Sequence, residues 1–215
     1  MNWQELNDKI YEMQRIHGHP LLDPIISGGC FENPKIAFVF MNPTARNVAS
    51  SREWASLKAP WIGTKNIWKL FHKLGYLDSD INDQIQKLKP YEWDYDFAQK
   101  VYDNIKRERL YFTNLAKCTQ LDAKHLSDDV FRSYLNIFLA ELELINPEII
   151  VTFGNQVSSI ILDQEVYVSK QRGQSFELKH KDRVYKIFPT FYPVGQGQRN
   201  LPFVIEDIQK IKDKI

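Results

Sequence analysis

Seven residues constrain this chain more than any others. Lys35-Ile36-Ala37-Phe38-Val39-Phe40-Met41 is an almost unbroken apolar run, bounded by Pro34 and by Asn42-Pro43. A strand with one wet face alternates apolar and polar residues, whereas a continuous run has no wet face. The segment therefore predicts a strand covered on both sides, as in a parallel sheet between two layers of helices. Leu110-Tyr111-Phe112-Thr113, ending at Asn114, and Glu148-Ile149-Ile150-Val151-Thr152-Phe153-Gly154 have the same character. Phe176-Glu177-Leu178 and Arg183–Phe188 read as a hairpin with Lys181-Asp182 near its turn, and the second strand runs on into Pro189-Thr190-Phe191-Tyr192-Pro193. Ser27-Gly28-Gly29 reads as a turn.

Helical patterns fill the intervals. Trp3, Leu6, Ile10, Met13 and Ile16 recur at three or four residues, which predicts a helix over 3–17 stopped by Gly18 and Pro20. Residues 44–60 read as a loop with room for a short helix. Ile67, Leu70, Phe71 and Leu74 share one face of a helix that Gly75 ends. Residues 78–108 read as helical in their second half. Ser127 is placed to cap a long helix to about Ile145, closed by Asn146-Pro147, because proline cannot continue a helix. Asn155–Leu162 and Phe203–Ile215 complete the set. Strands alternating with helices give an α/β class, a three-layer α/β/α sandwich around a mainly parallel sheet of about four strands. With 215 residues, 43% of them hydrophobic, the chain reads as one domain over 1–215, with helix 3–17 as an extension.

The charges nearly cancel, 28 basic against 27 acidic. This argues against a broadly basic binder but leaves room for a local basic groove. Cys30 and Cys118 are the two cysteines, too few for a disulfide framework, and read as reduced thiols. There is no secretory signal pattern and no stretch near the ~20 apolar residues of a membrane span. A cytoplasmic protein is expected, with no membrane partner.

In an open α/β sheet, ligands bind beyond the carboxyl ends of the strands. Those positions hold Asn42-Pro43-Thr44, Asn114-Leu115-Ala116-Lys117, Gly154-Asn155-Gln156 and Tyr192-Pro193-Val194-Gly195. Amides, a phenol and glycines are present; acids, histidine and cysteine are not. A hydrolase built on a Ser-His-Asp triad or on paired carboxylates would place those groups here. The set instead suits recognition of amide-like edges, such as those of a nucleobase. Each residue also has a plain structural reading: an Asx turn for Asn42, a capped strand end for Asn114, a packed indole for Trp61.

Four segments, in this order, resemble the uracil-DNA glycosylase superfamily. Phe38-Val39-Phe40-Met41-Asn42-Pro43 is similar to the strand and Asn-Pro of its mismatch-specific branch. Ala59-Pro60-Trp61-Ile62-Gly63 with the helix after it is similar to a Pro-aromatic-x-Gly segment. Thr113-Asn114-Leu115-Ala116-Lys117-Cys118 is similar to a segment of the iron–sulfur branch, and Pro189-Thr190-Phe191-Tyr192-Pro193 falls where the family usually has His-Pro. The resemblance spans roughly residues 20–205.

It implies a DNA glycosylase-like hydrolase that flips uracil or a related damaged base into a pocket and cleaves its N-glycosidic bond. By the same resemblance, Asn42 orients water, Asn114 reads the base and Trp61 stacks on it, with Pro43 and Gly63 completing the base site; either Tyr192 stands in for the histidine, or a neighbour such as Gln196, Gln198 or Arg199 does. Gly195, Gln196, Gly197, Arg199 and Lys117 would contact DNA. Arg46, Arg52, Lys58, Lys65 and Lys69 would add a phosphate-tracking surface. Two cysteines cannot supply the four ligands of an iron–sulfur cluster, and His17 and His19 lack a second ligand pair for zinc. No cofactor, no metal and a monomer are expected. His72 and His125 read as packed or solvated residues on helical segments. Two rivals stay open: a family member that binds base or nucleic acid without turnover, and an unrelated α/β enzyme.

Overall fold

The computed structural model describes residues 1–123 and 126–212. In chain order its elements are α1 (Trp3–His17), β1 (Ser27–Gly29), β2 (Ile36–Phe40), α2 (Asn66–Lys73), α3 (Ser79–Lys87), α4 (Tyr95–Arg107), β3 (Leu110–Asn114), α5 (Asp128–Ser133), α6 (Leu135–Ile145), β4 (Ile149–Phe153), α7 (Asn155–Leu162), α8 (Val168–Gln171), β5 (Phe176–His180), β6 (Arg183–Thr190) and α9 (Leu201–Lys212). The strands form one sheet in the order β1-β3-β2-β4-β6-β5. The four central strands are parallel, and β1 and β5 pair antiparallel at the two edges. The sheet is parallel at its centre as expected, with six strands in all where about four were expected. The difference at one edge is β1, read from the sequence as a turn. A Cβ on Gly28 would lie 2.3 Å from the Tyr102 ring, so glycine is what lets this edge strand approach α4.

Period-two alternation sorts the strands onto two cores. Ile36, Phe38 and Phe40, Leu110 and Phe112, Val151 and Phe153, and Phe188 face a layer of α2, α3, α4 and α9. Ala37, Val39, Tyr111, Ile150 and Ile187 face α1, α5, α6 and α7. The first core is aromatic: Phe38 meets Phe71, Phe112 and Phe153 with ring centroids 5.0, 5.7 and 5.9 Å away. Such pairs add about 0.5–1.5 kcal/mol beyond their buried area.

The expected long helix from Ser127 is two helices. The Tyr134 amide donates to the Phe131 carbonyl three residues back, a tightened turn that separates α5 from α6. Residues 78–108 hold two helices, α3 and α4, rather than one. The loop after β2 contains the short helix it has room for, a 3₁₀ turn at Val48–Ser50. His125 and the last three residues of the expected final helix lie outside the described residues. Among the described residues, no helix is long and apolar enough to cross a membrane.

Candidate functional site

The register of the parallel strands places the candidate residues before any loop is considered. Phe38 pairs with Phe112 and Phe40 with Asn114. Asn114 therefore continues the aromatic face of β3, and Asn42, two residues past Phe40, falls in the same alternation. Pairing persists beyond the strand ends: Leu115 N donates to the Phe40 carbonyl at 2.9 Å and Ala116 N to that of Met41 at 3.1 Å. Gln120 N donates to the Pro43 carbonyl at 3.1 Å, which ties the Asn42-Pro43 turn to the segment after β3. Tyr192, two residues past the end of β6, follows Phe188 and Thr190 in the same rhythm.

Asn42, Pro43, Trp61, Asn114, Tyr192 and Gly195 line one cavity of about 530 Å³. That volume lies in the usual range for small-molecule sites, about 300–1,000 Å³. Among the described residues, no carboxylate lines it. Asn114 is buried, and its Nδ2 has no hydrogen-bond partner among the described residues. A buried donor without a partner is rare in folded proteins, and a ligand acceptor is one explanation. Asn42 Nδ2 donates to the Pro43 carbonyl at 3.2 Å, and its Oδ1 has no hydrogen-bond partner among the described residues. Burial holds the Tyr192 phenol well above its ordinary value of 10.0, so the group is a neutral O–H donor.

Trp61 is held from behind. Its backbone has φ 71°, a left-handed conformation costly for a bulky residue. The strain is matched by bonds to its carbonyl from Thr64 Oγ1 at 2.7 Å and Trp68 Nε1 at 3.1 Å. Its ring meets Phe40 edge-on at 5.0 Å, and its Nε1 is buried without a hydrogen-bond partner among the described residues. Asn47, which no motif in the sequence marks, also lines the cavity and joins its two walls. Its Nδ2 donates to the Ala59 carbonyl at 2.8 Å, and its Oδ1 accepts from Ala49 N at 3.1 Å.

The model of the uracil DNA glycosylase superfamily matches residues 27–212. The chain belongs to the uracil DNA glycosylase superfamily. A type-4 uracil-DNA glycosylase of Thermotoga maritima is 31% identical over 117 residues, 52% of this chain and 59% of that protein. A type-4 uracil-DNA glycosylase of Sulfurisphaera tokodaii is 27% identical over 115 residues, 51% of this chain and 52% of that protein. The chain thus spans little more than half the length of these relatives. A DNA polymerase of Bacillus phage SP01 is 27% identical over 104 residues, 47% of this chain and 11% of that protein.

Within this superfamily fold, two expected site residues, Gly63 and Lys117, stand elsewhere. Gly63 lies off the cavity wall: it has φ 82°, and a Cβ there would meet Val48 at 2.7 Å, so it serves the turn behind Trp61. Lys117, expected to contact DNA, is fully buried and paired with Glu141 at 2.9 Å, where no phosphate can reach it. Gly197 packs beneath the Tyr192 carbonyl, where a Cβ would come within 1.8 Å. Gln196 and Arg199 are exposed on the 3₁₀ turn Gly195–Asn200.

The basic cluster also divides. Lys58 is paired with Asp23 at 2.9 Å, Arg52 is bonded to the Pro20 carbonyl, and Lys65 Nζ donates to the Gln86 carbonyl at 2.7 Å. Arg46 lines the cavity, is exposed, and has no acidic partner among the described residues. A four-thiolate cluster does not fit this chain: Cys30 and Cys118 are its only cysteines, both free and buried. Among the described residues no group of three or more His, Cys, Asp or Glu is placed to hold a metal ion.

Proposed function

We propose that this protein is a DNA glycosylase that extrudes uracil or a related damaged base from DNA and hydrolyses its N-glycosidic bond. Superfamily membership and the type-4 uracil-DNA glycosylases among its relatives support the reaction class. The observation that carries the reading is the shared cavity of Asn42, Trp61, Asn114 and Tyr192.

Bond cleavage leaves negative charge on the departing base and positive charge on the sugar. The Asn114 carboxamide offers a donor and an acceptor, which match O4 and N3–H of uracil and oppose the pattern of cytosine. A mismatched base would leave buried polar groups unpaired, at about 1–3 kcal/mol each. Trp61 supplies a stacking surface worth about 1–3 kcal/mol. The Tyr192 O–H donates to the base as charge builds on it. Asn42 accepts a hydrogen bond from the attacking water through Oδ1. An amide is no general base near neutral pH, so departure of the base leads and water is captured late. Gly195, Gln196 and Arg199 would press on the strand beside the vacated position.

The test is formation of abasic sites in uracil-containing single- and double-stranded DNA. Wild type should produce them, and Asn42→Ala and Asn114→Ala should lower the rate by roughly tenfold or more. Tyr192 at the place of a histidine favours a second reading, a base-binding member without turnover. Salt-dependent DNA binding with no abasic product in wild type would select it.

A further inference from the structure

The face of β3 turned away from the cavity carries a polar network inside an otherwise apolar layer. Lys117 and Glu141 are both fully buried, with Nζ 2.9 Å from Oε2. Glu141 also accepts from the Tyr111 hydroxyl at 2.7 Å and from Thr113 Oγ1 at 3.0 Å. Lys117 Nζ donates to the Ile26 carbonyl at 3.0 Å, to the Asn114 carbonyl at 3.3 Å, and to Thr113 Oγ1. Withdrawing two charges from water is costly, and well-packed apolar side chains of similar volume are often as stabilising as such a pair. Stability alone gives no reason for an ion pair at this place.

Its neighbour gives one. The Asn114 side chain makes no hydrogen bond among the described residues, and its Nδ2 is buried without a partner. Its aim therefore depends on the backbone that carries it. That backbone is where β3 ends, and its carbonyl is taken by Lys117. We infer that the Lys117–Glu141 pair is a clamp that fixes the Asn114 backbone against α6 and the Ile26 segment, and so sets the orientation of the Asn114 carboxamide in the cavity. Lys117 and Glu141 touch no substrate and are positioning residues. The inference rests on the reading of Asn114 as the amide that recognises the base.

The double replacement Lys117→Met with Glu141→Leu tests it. It removes both charges together and avoids the orphaned buried charge that either single change would leave. Thermal unfolding checks that the variant is folded. Fluorescence anisotropy then compares a DNA strand bearing non-cleavable 2′-fluoroarabino-deoxyuridine with the same strand bearing cytosine. The preference for the uracil strand should fall by roughly tenfold, with affinity for the cytosine strand kept. A merely structural role would weaken both strands alike, and a folded double variant with wild-type preference overturns the inference.

If wild type shows no preference, the base-recognition reading fails, and the clamp is judged by the crystal structure of the same variant. The Asn114 carboxamide should move by more than about 0.5 Å, the tolerance of a working site, and an unmoved carboxamide overturns the clamp. Should the double variant not fold, Lys117→Met with Glu141→Gln carries the same two readouts, since it also removes both charges and the bond to the Asn114 carbonyl while keeping an acceptor for the Tyr111 and Thr113 hydroxyls.

Discussion

Tyr192 determines how the cavity responds to pH. Its phenol is held above 10.0 by burial, so the proton stays on as pH rises through neutrality and is lost only above the ordinary value. Excision should therefore show no inflection from this group between about pH 6 and pH 9, whereas a histidine would titrate near 6.5. A pH–rate profile measures this, and a step near pH 6.5 that disappears in Tyr192→Phe would refute it. Arg46 makes a separate prediction, because it lines the cavity without an acidic partner. Arg46→Gln should reduce the slope of log affinity against log salt by about 1 for DNA of any sequence. Asn42, Asn114 and Tyr192 were legible as cavity residues because strand ends are where a parallel sheet exposes chemistry, whereas Trp61, far from any strand end, was reached only through the resemblance of its segment. Lys117 and Gly63 were misread for a physical reason. A lysine three residues past a strand looks solvated until its counter-charge is known, and Glu141 lies on a different element. Gly63 sits in the right motif, but only the fold reveals that its missing Cβ makes room for Val48.

At the level of elements, the turn after β6 depends on a close approach. Gly197→Ala would press a methyl group into the Tyr192 carbonyl, so the loop must shift and carry the phenol with it. Excision should drop by about 100-fold, as expected for a displacement near 1 Å in a reacting site. Gly173→Ala is the matched control: its φ is 79° but nothing lies within 4 Å, so it should cost roughly 1 kcal/mol of stability in thermal unfolding and leave the rate unchanged. Unequal rates in that control with equal rates at Gly197 would contradict the assignment. The buried strands β2, β3 and β4 were readable from apolar runs alone. The edge strand β1 was not, because two of its three residues are glycines and edge pairing leaves no hydrophobic trace. The break between α5 and α6 was hidden as well, since the apolar stripe continues across Tyr134.

For the whole molecule, two cores on opposite faces of one sheet divide the labour. The aromatic core supports the cavity wall, and the other contains the Lys117–Glu141 network. Phe38→Ala empties a position fully buried at the centre of the aromatic core. It should cost about 3–5 kcal/mol in urea unfolding, and a loss below about 1 kcal/mol would mean that the neighbouring rings collapse to fill the gap. Trp61 is at once a wall of the cavity and the end of an indole series: Trp68 donates to its carbonyl, and Trp93 stacks on Trp68 with centroids 6.4 Å apart. Arrival of a flat heterocycle against Trp61 should therefore change the protein's ultraviolet emission, and occupancy becomes observable in a fluorimeter with neither label nor turnover.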